Sequence, residues 1–161
     1  MISEDTMELN GKRIVVVEDD YMLAVEVCRE LRKFGATVLG PAPTPFYAMQ
    51  LINGKRIDAA VLDVRLHGTT VFEVADRLTG QGVPIIFATG LNREELPGRY
   101  RNATCLEKPL DNTKLVAKIR ELTREPARRA ISAAPLPPVT PGRWAPVQSF
   151  ARALAKRFPT G

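Results

Sequence analysis

The chain has 161 residues, 45% hydrophobic and 25% charged, which is room for one ordinary domain with a real core and a short extension. Its net charge of +5 is unevenly spread: residues 1–124 carry 17 basic and 17 acidic side chains and residues 125–161 carry 6 and 1, so overall basicity does not argue for a nucleic-acid-binding fold. No run of ~18 apolar residues offers a membrane span, and the acidic start MISEDTMELNGKR lacks the basic-then-apolar order of a secretory signal, so a cytoplasmic location is the default expectation.

Arg13 to Val17 is a short β-branched run that reads as a buried strand, closed by Glu18, Asp19 and Asp20. Leu23, Val27, Leu31 and Phe34 then recur at helical spacing, with Asp20 as the helix start and Gly35 as the stop. Thr37 to Gly40 is a second strand; Pro41, Pro43 and Pro45 mark a loop before a helix over Phe46 to Ile52. Ala59 to Leu62 is a third strand ending at Asp63. HGTT, from His67, reads as a turn and helix entry, with Val71, Val74, Ala75 and Leu78 on one helical face. Val83 to Ala88 is a fourth strand ending at Thr89, and Asn92 to Leu96 a short helix cut off by Pro97 and Gly98. Ala103 to Leu106 is a weak fifth strand ending at Lys108, and Asp111 caps a helix to Leu122. Cys28 and Cys105, without metal or redox spacing, read as reduced packing residues.

Seven of the 13 prolines follow Glu125. The expected organisation is an N-terminal extension over 1–10, a globular domain over 11–124 and a Pro-rich basic tail over 125–161, mostly disordered. Within the tail Val147, Phe150, Leu154 and Phe158 share a helical face. About 12 residues is marginal for an isolated helix, so disorder is favoured over an amphipathic helix at 147–158.

Alternating strands and helices imply an α/β fold, a five-stranded parallel sheet of flavodoxin-like order 2-1-3-4-5 with helices on both faces. Such sheets bind ligands outside the carboxyl ends of their strands, and there the polar residues stand: Glu18 and Asp19, Asp63, Thr89 and Lys108. Mg2+ takes hard oxygen ligands, which Asp19, Asp63 and, through water, Glu18 would supply. With the repulsion offset, Asp63 is the candidate nucleophile toward a phosphoryl group, and Lys108 balances charge on the transferring oxygens. Asp20 reads as a helix cap only.

IVVVEDD, VLDVRLHG, FATG and LEKP stand in the order and spacing of the receiver domains of two-component response regulators, which residues 10–124 resemble. The resemblance implies that Asp63 is the phosphoacceptor for a histidine kinase or phosphotransfer protein, with Glu18, Asp19, Asp63 and the backbone carbonyl of Arg65 around Mg2+. It implies Thr89 as the switch hydroxyl, Lys108 as the phosphate-binding lysine, a cis Lys108–Pro109 bond, and no enzymatic activity beyond the protein's own phosphorylation and dephosphorylation. Receivers usually carry an aromatic where Cys105 stands. That departure, with Gly90, FATG and LPGRY, resembles the FATGUY group, often single-domain, and implies a readout through the Gly90 to Tyr100 loop. His67 occupies a turn where receivers often have proline and reads as an exposed loop residue.

Other readings are weaker. A haloacid-dehalogenase-like phosphatase wants a second Asp where Arg65 stands, and a dinucleotide-binding domain wants G-x-G-x-x-G where the acids stand. The alternative is a pseudo-receiver, an interaction module that is not phosphorylated; joint retention of Asp19, Asp63, Thr89 and Lys108 weighs against it. The tail is too short for a DNA-binding output domain, so the expected output is contact with a downstream protein or onward phosphotransfer.

Overall fold

The computed structural model describes residues 8–124; the expectations for the tail, including a helix at 147–158, lie outside the described residues. Five strands form one parallel sheet: β1 (Arg13–Val17), β2 (Thr37–Ala42), β3 (Ala59–Leu62), β4 (Ile85–Thr89) and β5 (Thr104–Glu107). Their spatial order is β2-β1-β3-β4-β5, the flavodoxin-like order expected from the sequence. The central strands are apolar throughout because both faces are covered. Ile14 and Val16 join one core with Val27, Cys28 and Leu31 of α1 (Tyr21–Lys33) and Leu115, Val116 and Ile119 of α4 (Asn112–Thr123). Val15 and Val17 join the other, with Ala48 and Ile52 of α2 (Pro45–Ile52) and Val74, Ala75 and Leu78 of α3 (Phe72–Gly80). Leu9 is fully buried in the first core, so chain before Gly11 also contributes to packing.

Helix starts follow the local chemistry. Asp20, Thr44 and Asp111 each cap a helix, their side chains accepting main-chain N–H groups of Leu23, Tyr47, and Thr113 and Lys114 respectively. Pro45 sits in the first turn of α2, where no N–H is needed.

Three segments differ from the sequence expectation. The second strand runs on through Pro41 and Ala42, with an irregularity in its pairing between Val15 and Val17. Gly40 makes this bend with φ +105°, and a Cβ there would stand 2.7 Å from the Val16 carbonyl oxygen. Pro41 is tolerated because β2 is an edge strand. Second, HGTT enters no helix directly. Arg65–Leu66 and Thr69–Thr70 form a two-residue antiparallel hairpin around His67 and Gly68, whose φ values of 43° and 78° suit the primed turn of a tight hairpin.

Third, the expected helix at Asn92–Leu96 is replaced by two 3₁₀ turns, Arg93–Glu95 and Gly98–Tyr100. Pro97 and Gly98 interrupt the helical repeat, and side chains hold the segment instead. The Tyr100 ring stacks on Phe72 and meets Phe87 edge-on, at centroid distances of 5.8 and 5.2 Å. Its hydroxyl donates to Asp76 of α3, which also accepts two bonds from the Arg99 guanidinium at 2.8 and 3.0 Å. The Arg93 guanidinium donates to the carbonyls of Arg101 and Ala103.

Two stability predictions follow from these contacts. Gly40→Ala combines a left-handed φ with a backbone clash and should lower stability by about 2 kcal/mol or more in urea unfolding. Tyr100→Ala should cost about 3–5 kcal/mol by the same measurement, and Tyr100→Phe, which keeps the ring and loses only the hydroxyl bond, about 1 kcal/mol.

Candidate phosphoacceptor and metal site

Each candidate residue is fixed by the sheet ladder at the point where the ladder ends. The Glu18 N–H donates to Ala42, the Asp63 N–H to Val17 and the Lys108 N–H to Thr89, at 3.0, 2.8 and 3.2 Å. Thr89 is the last residue of β4, in register with Glu107 of β5. The side chains therefore leave the sheet together, at the carboxyl ends of four adjacent strands.

There the structure gathers Glu18, Asp19 and Asp63, with one carboxylate oxygen from each within 4.8 Å of the others. Lys108 bridges two of them, its Nζ donating to Glu18 Oε2 at 3.0 Å and standing 3.1 Å from Asp63 Oδ2. Glu18 and Asp63 are buried, and Asp19 lies at the mouth of the crevice. The other Glu18 oxygen accepts the Asp20 N–H. Lys108–Pro109 is a cis peptide, as the resemblance implied.

The charges of this crevice do not balance. Burial pushes the Glu18 carboxyl up to about 7, and Asp63 adds to the rise, while Lys108 and the Asp20 amide oppose it. Burial also acts on Asp19, but the His67 amide, the Glu18 side chain and the His67 ring outweigh it and hold its carboxyl below the usual carboxylate value. Burial disfavours the Lys108 ammonium, yet its bonds to Glu18 and Asp63 prevail and raise its pKa.

The donor set, three carboxylates converging beside one ammonium, fits a hard divalent cation. The Arg65 carbonyl is compatible with it. Val71 N–H bonds to the Val64 carbonyl, and Leu66 and Thr69 flank the tight turn, so Arg65 and Thr70 form the intervening pair. In antiparallel pairing such a pair turns its main-chain groups outward from the hairpin.

Two further residues border the site. Thr89 is buried, and its hydroxyl oxygen accepts the Leu91 N–H at 3.1 Å. His67 is more than a loop residue: its N–H donates to Asp19 Oδ2 at 3.0 Å, and its ring Nδ1 lies 3.6 Å from the same oxygen. The available signal was the dipeptide His-Gly between two short polar-flanked runs, a hairpin turn whose contact to residue 19 only the fold reveals.

The family model for the response regulator receiver domain matches residues 14–120. Transcriptional regulatory protein TcrA of Mycobacterium tuberculosis is 36% identical over 121 residues, covering 72% of this chain and 47% of that protein. The chain thus spans about half the length of that relative. Among solved structures, SdrG from Sphingomonas melonis Fr1 is 30% identical with a TM-score of 0.61, covering 72% of this chain and 97% of that one. The non-phosphorylated HemR receiver domain from Leptospira biflexa is 25% identical, with a TM-score of 0.61 over 71% of this chain and 95% of that one. With strand order, crevice and family match in agreement, the chain belongs to the response regulator receiver domain family.

Proposed function

We propose that this receiver is phosphorylated on Asp63 by a histidine kinase or phosphotransfer protein with Mg2+, and signals by protein contact or onward phosphotransfer. The observation that carries the reading is the seat of Lys108 Nζ between Glu18 and Asp63, in a crevice whose acids exceed its cations. Asp19, Asp63, the Arg65 carbonyl and, through water, Glu18 would hold the ion. When bound it supplies charge neutralisation for the approaching phosphoryl group.

In the transfer, an Asp63 carboxylate oxygen attacks phosphorus, the O–P bond forms, and the N–P bond to the donor histidine breaks with its electron pair going to the imidazole nitrogen. Lys108 balances charge on the phosphoryl oxygens, from a position already set by its two ion pairs. Tyr21 and Met22 support a protein donor: they open α1 beside the crevice and are 73% and 75% exposed, an apolar rim for a macromolecule rather than for a small anion.

The readout we propose runs through residues 90–103. A new bond donated by the Thr89 hydroxyl to the phosphoryl group would exchange one orientation for another in a side chain whose oxygen now accepts the Leu91 N–H, where the segment begins. A groove of about 540 Å³ between Leu91–Arg93 and β5 is lined by Thr89, Cys105 and Lys108, so this exchange would reshape a surface available to a partner. The balanced charge of residues 1–124 gives no basis for nucleic-acid binding. Among the described residues no helix is long and apolar enough to cross a membrane.

Incubation with Mg2+ and a small acyl phosphate, followed by intact mass, should add one phosphoryl group to wild type and none to Asp63→Asn. A stable phosphate mimic checks for rapid hydrolysis, and an unmodified wild type that also ignores the mimic would leave the pseudo-receiver reading. Metal binding should depend on pH through Glu18. Its folded carboxyl titrates at about 7, above the ordinary 4.5, so its protonated form stabilises the metal-free fold at low pH and that contribution is lost as pH rises through about 7. A cation favours the ionised form, so Mg2+ affinity measured by calorimetry should climb as pH rises toward about 7 and then level, with a flatter profile in Glu18→Gln.

A further inference from the structure

We infer that two copies of this chain associate through the face formed by α2 and α3, in an antiparallel two-fold contact that sets Glu73 of each copy against Arg77 of the other. Association of this kind does not depend on phosphorylation at Asp63. Apolar surface is left open in two places among the described residues: Tyr21, Met22 and Val25 on α1, and Phe46 and Tyr47 on α2. α1 packs with α4 on one face of the sheet and α2 with α3 on the other, so the second group lies on the layer opposite the rim assigned to the phosphodonor.

Phe46 is 73% exposed, although its helix has a buried face that takes Ala48 and Ile52. With Met49, Gln50, Asn53 and Arg77 it lines a groove of about 290 Å³ between α2 and α3. Tyr47, beside it, is 47% exposed. Phenylalanine, tyrosine, methionine and arginine are the residue types that protein interfaces concentrate, and an open aromatic beside a groove has the form of an anchor and its pocket.

The charges choose the occupant. Glu73 in the first turn of α3 and Arg77 in its last are both exposed, and neither has an ion-pair partner among the described residues. Asp76 of the same helix is by contrast held by Arg99. A stripe that carries an acid and a base one turn apart is complementary to itself when reversed, which is what an isologous contact requires. Two α3 helices laid antiparallel pair Glu73 with Arg77 twice and bring the positive end of each helix dipole beside the negative end of the other. The same axis lays each α2 reversed on the other, with Phe46 of one copy at the Gln50 and Asn53 end of the other copy's groove. A partner carrying charge of one sign would satisfy Glu73 or Arg77 and oppose the other. Because the contact lies on the α2 and α3 layer, it leaves the α1 rim of both copies free for a donor.

The test follows the full chain by sedimentation velocity from micromolar to near-millimolar concentration, with no phosphodonor present. Wild type should pass from monomer to dimer as concentration rises. Phe46→Ser, Glu73→Arg and Arg77→Glu should each weaken association by about tenfold or more, since loss of an anchor or the creation of two like-charge contacts is worth at least that. The three side chains are exposed, so circular dichroism and the melting temperature of each variant should match wild type. An equimolar mixture of Glu73→Arg with Arg77→Glu has opposite charges at both contacts and should recover the affinity that each variant loses alone. A chain that stays monomeric throughout, a dimer that none of the three substitutions weakens, or a mixture that fails to recover would overturn the inference. In the first case the patch serves a different protein, and in the others the copies meet elsewhere or in another orientation.

Discussion

Mutual repulsion among Glu18, Asp19 and Asp63 is the constraint on which the rest of the structure turns. Three carboxylates whose oxygens approach within 4.8 Å cannot all be ionised in a half-buried crevice without positive charge nearby. The fold supplies Lys108 to two of them and main-chain N–H groups of Asp20 and His67 to Glu18 and Asp19. Burial first, and Asp63 after it, still leave the Glu18 carboxyl raised against the pull of Lys108 and the Asp20 amide. The proposed cation would add the positive charge that this crevice lacks, and the proposed phosphoryl transfer to Asp63 draws on the same electrostatics.

The sheet makes such a cluster affordable in only one place. Parallel strands buried on both faces have no room for charge along their length, so charge collects where the strands end. Ladder amides at Glu18, Asp63 and Lys108 continue the sheet by one residue and aim side chains from β1, β3 and β5 toward a common point. Smaller devices adjust the rim. The bend at Gly40 carries β2 on to Ala42, whose carbonyl holds the Glu18 amide, and the tight hairpin after Asp63 turns back onto Asp19.

The segment after Thr89 is the least regular part of the domain, and its irregularity has a physical basis. Without a helix to satisfy its main chain, it depends on Arg93, on the Asp76–Arg99–Tyr100 contacts and on an aromatic cluster with Phe72 and Phe87. Its near end has the Leu91 N–H on the Thr89 hydroxyl and the Leu91 side chain against the core, and its far end is wedged into the core by Tyr100.

The strands, most of the helices and the polar residues at the strand ends were legible because each rests on a local signal. Apolar β-branched runs stop abruptly at Glu18, Asp63, Thr89 and Lys108, and Asp20 and Asp111 precede helical periods. Pro41 inside a strand was not legible, because proline ordinarily signals a break and only an edge position with a bulge accommodates it. Nor was the loss of a helix between β4 and β5, where a short apolar period competed with Pro97 and Gly98 and the tertiary anchors of Tyr100 decided the outcome. The sequence by itself determined which residues lie at the strand ends, since burial and backbone geometry act over a few neighbours. Which of them touch was decided by tertiary structure: that Lys108 bridges Glu18 and Asp63 and that His67 lies on Asp19 depend on separations of up to 90 residues that no local pattern encodes.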